Sequence, residues 1–274
     1  MKNHQRLNVG DLKFKSWLVG VTDGDGTFSI NYTDKKKKKL LFNYSIAQHK
    51  KNERMLLYIK NKLGIGKIYK TGENMITYSI RKREEIKEII IPIFEECKSI
   101  HEKKRRDFLK LKESMEILET DKTKEEILEE IKLIKKKDIL ITHDCNNKLL
   151  YDNWLIGFTE AEGCFRADIK TSRFTYEITQ KEKGVLETIK NKFKMKNKII
   201  YNKYGFFKLS SSNSRVIENI IKFYGKKEKK MRGIKSLEFK LWKKAIYYNK
   251  KDNKKDNKLK LKQILKKIQH SKLD

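Results

Sequence analysis

Two acidic residues occupy matching places in a pair of similar segments. Residues 16–30 read SWLVGVTDGDGTFSI and residues 153–167 read NWLIGFTEAEGCFRA. In each segment an apolar stretch with helical spacing ends in an acid followed by glycine, with Asp25 in the first and Glu162 in the second. A carboxylate in the last turn of a helix opposes the helix dipole, so a purely structural role gains nothing from placing one there twice. The pattern indicates chemistry that uses carboxylates.

Cysteine and histidine patterns argue against other common kinds of site. The three cysteines lack the Cys-x-x-Cys spacing of zinc sites and form no disulfide framework, and three of the histidines lack metal-ligand spacing. These residues are Cys97, Cys145, Cys164, His49, His101 and His143. No apolar run approaches the roughly 18–20 residues of a membrane span, and no secretory signal opens the sequence, so we expect no membrane partner.

The charge of the chain favours a polyanionic partner. Its 274 residues include 67 Lys and Arg against 36 Asp and Glu, a formal net charge of +31. Nucleic acid is the usual partner of so basic a protein. However, Lys, Asn, Ile and Tyr are all abundant and there is a single proline, as expected of an AT-rich genome. Codon bias is therefore an alternative source of the charge, which alone identifies no function.

The similarity between the two halves continues downstream of the acids. Tyr44–Gln48 (YSIAQ) parallels Tyr176–Gln180 (YEITQ), and Lys104–Phe108 (KRRDF) parallels Lys235–Phe239 (KSLEF). The order and approximate spacing of the markers are the same in both halves, which predicts a duplicated domain. The predicted divisions are a first repeat over 1–119, a linker over 120–150, a second repeat over 151–248 and a basic tail over 249–274.

Each repeat is predicted as helix, hairpin, helix, hairpin, helix, helix, which is an α+β arrangement. Alternating apolar and polar residues predict half-buried strands with one polar face. In the first repeat the predicted helices cover 14–24, 51–63, 84–96 and 104–119, and the predicted hairpins cover 27–48 and 67–81. Apolar spacing also predicts a helix within the linker and an amphipathic helix in the tail, the latter with Leu261, Ile264, Leu265 and Ile268 on one face.

Leu18–Gly26 (LVGVTDGDG) and Leu155–Gly163 (LIGFTEAEG) resemble the two motifs of double-motif LAGLIDADG homing endonucleases. The resemblance covers roughly residues 14–248. It implies two pseudo-symmetric αββαββα repeats whose antiparallel sheets form a saddle, with the motif helices packed at the centre. Gly20 and Gly157 would allow the two helix backbones to approach closely.

The resemblance also implies an active site. The family arrangement places Asp25 and Glu162 side by side as ligands of Mg²⁺, which prefers oxygen donors, and we expect Mn²⁺ or Ca²⁺ to substitute in binding. The backbone carbonyls of Gly24 and Ala161 would assist. By family analogy two glutamines position water and two lysines lie by the scissile phosphates; they are Gln48, Gln180, Lys104 and Lys235. Lys103 is an alternative to Lys104, since one helical step decides which of them faces inward.

The outward strand positions are predicted to read DNA, because an antiparallel ribbon fits the major groove. In the first repeat these are Ser29, Asn31, Thr33, Asn43, Ser45, Thr77, Ser79 and Arg81. In the second they are Arg166, Asp168, Lys170, Arg173, Thr175, Glu177, Lys208 and Ser210. Two such surfaces imply a target on the order of 20 base pairs, and their different residues imply an asymmetric one. The run Lys35–Lys39 is interpreted as a phosphate-contacting or solvated loop.

The sequence therefore predicts a monomeric, Mg²⁺-dependent endonuclease that cuts double-stranded DNA across the minor groove. An intron-encoded enzyme in an organelle is expected, with the mitochondrion favoured over the chloroplast. The alternative is an RNA maturase that binds its own intron RNA, since the fold and charge suit both roles. Retention of both motif acids favours the nuclease. A general architectural DNA-binding protein would explain the charge but not the duplicated acids.

Overall fold

The computed structural model describes residues 11–34, 39–141, 148–168, 171, 173–250 and 255–270. Contacts along the chain divide it into two compact units, Met1–Phe158 and Thr159–Asp274. Each unit has one four-stranded antiparallel sheet with helices packed on it. In the part of the chain that is described, no helix has the length and apolar character needed to cross a membrane.

The first unit follows the predicted order of elements. Its helices and strands are α1 (Leu12–Asp25), β1 (Gly26–Asp34), β2 (Lys39–His49), α2 (Glu53–Leu63), β3 (Lys67–Lys70), β4 (Met75–Ile80), α3 (Arg83–Glu85), α4 (Ile91–Glu96), α5 (Glu102–Ile117) and α6 (Lys124–Lys136). A π-helical turn over Ile86–Ile90 joins α3 to α4 just before Pro92, where the proline cannot donate a helical hydrogen bond. Helix α6 is the predicted linker helix.

The second unit repeats the scheme. Helix α7 (Lys148–Glu162) runs across the boundary between the units and is followed by β5 (Gly163–Ala167), β6 (Phe174–Gln180), α8 (Lys183–Phe193), β7 (Ile200–Tyr201), β8 (Phe207–Ser211), α9 (Ser214–Tyr224), α10 (Lys235–Lys250) and α11 (Lys255–His270). Helix α11 is the predicted tail helix, and Ile264, Leu265 and Ile268 are buried. It packs against α10.

The two sheets have the same topology, with strand orders β1-β2-β4-β3 and β5-β6-β8-β7. The predicted alternation is confirmed on β2, where Phe42, Tyr44 and Ile46 are at most 1% exposed, while Asn43 and Ser45 are half-buried on the opposite face. The α+β class with two antiparallel sheets is thus confirmed. The side chain of Thr33, residues 35–38 of the lysine run, and Lys170 lie outside the described residues, as do Cys145 and His143.

A buried tyrosine fixes the motif helix to the sheet in each unit. Tyr44 and Tyr176 are fully buried. The Tyr44 hydroxyl lies 2.7 Å from Thr22 Oγ1, and the Tyr176 hydroxyl lies 3.2 Å from Thr159 Oγ1. Because a buried hydroxyl without a partner is costly, these bonds favour one placement of each helix end against the strands.

Candidate functional site

Two glycines allow close contact between α1 and the part of α7 that belongs to the first unit. A Cβ atom on Gly20 would lie far inside contact distance of the Trp154 carbonyl oxygen and 2.8 Å from the Phe158 nitrogen. A Cβ atom on Gly157 would meet the Trp17 carbonyl oxygen in the same way. Backbone atoms cannot move aside as side chains do, so both positions require glycine.

Asp25 is the last residue of α1, and its carboxylate is held from β2. Gln48 Nε2 donates to Asp25 Oδ2. Asn52 Nδ2 donates in turn to Gln48 Oε1 at 2.9 Å, which fixes the orientation of the amide. Gln48 and Asn52 are 8% and 4% exposed. This buried chain of amides leaves Gln48 no other way to present its donor than towards Asp25.

The second unit repeats the arrangement with a longer contact. Glu162 ends α7, and Gln180 Nε2 donates to Glu162 Oε1 at 3.4 Å. The backbone nitrogen of Lys181 donates to Gln180 Oε1 at 2.6 Å. The amide oxygen is therefore occupied in both units, and the amide nitrogen faces the motif acid. The glutamines predicted at the strand ends thus lie next to the predicted metal ligands.

Lys104, not Lys103, faces the end of the motif helix. Lys104 Nζ donates to the carbonyl oxygen of Gly26, the residue after Asp25. Burial lowers the pKa of Lys104, and nearby acids, chiefly Asp23, oppose that shift. Lys103 is exposed. The sequence left open which of the two lysines faces inward, and in the first unit it is Lys104 that does.

The matching lysine of the second unit has a different partner. Lys235 Nζ lies 3.0 Å from Glu238 Oε2, one helical turn away on α10. Glu238 is 3% exposed. The two lysines are therefore held differently, one by a backbone carbonyl and the other by a buried carboxylate.

A second acid in each motif anchors the segment before the lysine, a role that the sequence did not suggest. Asp23 is fully buried and accepts from the Ser99 hydroxyl, from the backbone nitrogens of Ile100 and His101 at 2.9 and 3.3 Å, and from Trp154 Nε1 at 2.7 Å. Burial raises its pKa, against the effect of these hydrogen bonds.

In the second unit Glu160, 2% exposed, accepts from the backbone nitrogens of Arg232 and Gly233. Both acids therefore bind backbone groups just ahead of one of the two predicted lysines, Lys104 or Lys235. The sequence shows an acid within the apolar part of each motif helix, at Asp23 and Glu160, but it does not indicate what that acid binds. Their partners are distant in sequence and carry no recognisable pattern.

The donor atoms at the motif ends suit a hard divalent cation. In the first unit they are the carboxylate of Asp25 and the backbone carbonyl of Gly24, and in the second unit they are the carboxylate of Glu162 and the backbone carbonyl of Ala161. The last carbonyls of a helix receive no hydrogen bond within it, and Mg²⁺ and Ca²⁺ prefer oxygen ligands. Among the described residues no group of three or more His, Cys, Asp or Glu side chains could hold a metal by itself. This chemistry fits a cation shared with water or substrate rather than a closed structural metal site.

The polar face of the first sheet carries a neutral hydrogen-bond network. Asn43 Nδ2 donates to Ser45 Oγ at 3.1 Å, and Ser79 Oγ donates to Asn43 Oδ1 at 2.6 Å. Asn31 Nδ2 donates to Ser29 Oγ at 3.2 Å. These two hydrogen-bonded groups together contain five of the eight predicted DNA-reading positions.

Of the other predicted positions of the first unit whose side chains are described, Thr77 is half-buried and Arg81 is exposed. Thr77 bonds Thr71 at 3.0 Å, and Arg81 lies over the Tyr69 ring, with its guanidinium carbon 5.7 Å from the ring centroid. Ser79 is 5% exposed, so its contacts are with neighbouring side chains. The strand register adds Thr27, Ala47, Lys67 and Tyr69 to the same face, and the predictions did not include these positions.

The polar face of the second sheet is charged. Glu177 lies between two cations, with Arg166 Nη2 2.7 Å from Oε1 and Lys208 Nζ 2.7 Å from Oε2. Arg173 Nε donates to Ser212 Oγ at 2.9 Å. Ser210 pairs with Glu177 and Thr175 pairs with Arg166 in the strand register.

Asp168 is exposed beyond the end of β5 and its carboxylate accepts from the Thr171 nitrogen at 3.2 Å. The register of the second sheet also places Cys164 and Thr179 on the charged face. The predictions did not include these two residues.

Comparisons with known proteins bear on the family and the fold of the chain. The family model for the LAGLIDADG endonuclease matches residues 18–115 and 155–246, one match for each half of the chain. The chain belongs to the LAGLIDADG endonuclease family. The two matched ranges contain both LAGLIDADG motifs and both lysine-bearing segments, so the duplication predicted from the sequence is confirmed.

Two curated relatives extend the comparison. A probable intron-encoded endonuclease of Schizosaccharomyces pombe, Cox1-I1b, is 34% identical over 259 residues, which are 86% of this chain and 65% of that protein. The uncharacterized mitochondrial protein RF1 of Saccharomyces cerevisiae is 26% identical over 196 residues, which are 69% of this chain and 40% of that protein. This LAGLIDADG chain thus spans less than two thirds of the length of either relative.

A solved structure supports the fold. The structure of I-SmaMI bound to uncleaved DNA target in the presence of calcium ions matches with a TM-score of 0.75 at 22% identity, over 93% of this chain and 98% of that one. At that identity the similarity establishes the LAGLIDADG fold, with its two sheets and two motif helices.

Proposed function

We propose that the protein is an intron-encoded homing endonuclease that hydrolyses both strands of a long, asymmetric DNA target with a divalent metal, Mg²⁺ in the cell. One observation carries the proposal. Each motif helix ends in an acid whose carboxylate is oriented by a buried glutamine. A protein that only binds nucleic acid has no use for two such oriented carboxylates at helix ends, where they oppose the dipole.

In this proposal Asp25 and Glu162, with the carbonyls of Gly24 and Ala161, would hold the metal. Bound there, a divalent cation would activate water and stabilise the leaving oxygen. The glutamines restrict the carboxylates to one rotamer each, as outer partners of metal ligands do. Lys104, whose pKa burial lowers, would place a donor near the scissile phosphate and stabilise its developing charge.

DNA recognition would use the polar faces of the two sheets, which present side chains of the kinds that contact base edges and phosphates. The solved I-SmaMI complex, bound to its uncleaved DNA target, is consistent with this use of the fold. A protein with one motif in each half supplies both acids from one chain, so we propose that it acts as a monomer.

A plasmid cleavage assay tests the proposal. The substrate is a supercoiled plasmid carrying the exon junction of the host gene without its intron, incubated with protein and Mg²⁺. We expect a single linear product that EDTA abolishes, and no cutting of a plasmid in which the intron interrupts the junction. Asp25→Asn and Glu162→Gln should lose double-strand cutting but keep binding, whereas Glu187→Gln, on the exposed surface of α8, should behave as wild type.

Two results would contradict the proposed function. Full double-strand cutting by either acid variant would refute the metal-site assignment. Failure of the wild type to cut or bind the junction, with tight binding to the unspliced intron RNA, would favour the maturase alternative.

We also propose a mitochondrial location. One relative is described as a mitochondrial protein and another as intron-encoded, and the AT-rich bias of the sequence is typical of organelle genomes. Hybridisation of the coding sequence to purified mitochondrial DNA tests this, and a signal confined to nuclear or chloroplast DNA would contradict it.

A further inference from the structure

Arg166, Glu177 and Lys208 form a charged cluster on the polar face of the second sheet. They come from three adjacent strands, β5, β6 and β8, at diagonal positions in the register. Long side chains at diagonal positions reach each other across a sheet. The Glu177 side chain is 8% exposed, while those of Arg166 and Lys208 are 57% and 36% exposed. The carboxylate is therefore covered by its own partners.

The geometry shows that Glu177 is not itself available to a base. Each of its oxygens already contacts a different cation at 2.7 Å. A carboxylate that reads DNA accepts a hydrogen bond from the amino group of cytosine, whereas both oxygens of this largely buried carboxylate are already in ion pairs. Its effect is on its neighbours, because it neutralises the repulsion between two cations and restricts two flexible side chains before any ligand arrives.

We infer that Glu177 is a positioning residue that holds Arg166 and Lys208 as a guanine-reading pair for one or two adjacent base pairs of the target. This rests on the proposed function. Arginine has five N–H donors. Arg166 uses Nη2 for Glu177 and also hydrogen-bonds the Cys164 side chain, which leaves further donors for a base. Both cations can only donate, and guanine is the base that presents two acceptors, O6 and N7, in the major groove.

The first sheet supports the assignment by contrast. The positions equivalent to Arg166, Glu177 and Lys208 in the strand register are Ser29, Ser45 and Thr77. Hydroxyl groups both donate and accept, so that surface is not restricted to acceptor-rich bases. The inferred preference for guanine therefore belongs to the half of the target that the second sheet contacts.

The test is a binding profile, measured in Ca²⁺, against every single-base substitution of the mapped target. The proteins are the wild type, Glu177→Ser, Arg166→Ser and Lys208→Thr, which introduce the residues of the first sheet. Glu187→Ser is the matched control, because it removes the same charge from between Lys183 and Lys190 on α8. Thermal melting checks that each variant folds, and Glu177→Gln, which keeps the side-chain volume, replaces the serine variant if that one does not.

We expect the wild type to prefer guanine at one or two adjacent positions, and Arg166→Ser to reduce that preference roughly 5- to 150-fold. Glu177→Ser should reduce it at the same positions and nowhere else, although it leaves both cations in place. Glu187→Ser should leave the profile unchanged. A structural defect would instead weaken all positions together.

Three results would overturn the inference. The first is a binding profile for Glu177→Ser that equals the wild type's. The second is a loss of affinity for Arg166→Ser that is the same at every position, because that result marks a phosphate contact. The third is a wild type that shows no preference for guanine in that half of the target. A protein that binds with this profile but never cuts DNA would refute the proposed nuclease and leave the inference standing.

Discussion

At the scale of single residues, two side chains from other elements of the first unit contact the C-terminal end of α1. Gln48 contacts the Asp25 carboxylate, and Lys104 contacts the carbonyl of the next residue. Neither group comes from α1 itself, so the strand and a distant helix must be in place before the acid is oriented. The proposed catalytic arrangement therefore depends on the fold of the unit as well as on the motif.

The proposed role of Lys104 can be tested against its neighbour Lys103, because Lys104 contacts the end of the motif helix whereas Lys103 is exposed. Lys104→Met should lower the single-turnover cleavage rate on the order of 10²-fold, since it removes a half-buried donor that we propose lies near the scissile phosphate. Lys103→Met, an exposed position on the same helix, should cleave like the wild type. Both variants lose one positive charge, so a loss of rate common to both would show that general electrostatics, not position, is responsible.

At the scale of elements, much of the arrangement was predictable from sequence. Alternation along β2 predicted which side chains face the core, and the repeated motif predicted both central helices. Alternation assigns a face but not an exposure, so it nominated Ser79 and Glu177 as base readers although neighbouring side chains cover them. The anchoring role of Asp23 was not predictable, because its partners follow more than 70 residues later and include backbone groups, which carry no sequence signal.

The close approach of α1 and α7 also belongs to this scale. Gly20→Ala should lower the free energy of unfolding by about 1–3 kcal/mol, because the new methyl group meets backbone atoms that cannot repack. Gly184→Ala is the matched control: it lies in α8 with no atom within 4 Å of its added methyl, and should stabilise by about 0.5–1 kcal/mol. Urea unfolding measures both. Equal stability of the two variants would mean that the helices do not need the glycine contact.

At the scale of the whole molecule, the net charge of +31 has two explanations with different consequences. If lysines and arginines contact phosphates, binding must release counterions and depend steeply on salt. If codon bias placed the lysines without regard to DNA, most of them would contact nothing and the dependence would be shallow. The folded surface does not separate the two explanations, since exposed lysines also pair with acids, as Lys250 does with Glu218.

Salt titration separates them. We expect affinity for a duplex containing the target, measured in Ca²⁺, to fall roughly 10³- to 10⁵-fold between 50 and 200 mM salt, as for 6–10 phosphate contacts. A duplex of equal length and shuffled sequence should show a similar slope at weaker affinity, because phosphate contacts are shared and base contacts are not. If affinity depends only weakly on salt but the protein still prefers the target, codon bias explains the charge, and the sheet faces alone account for recognition.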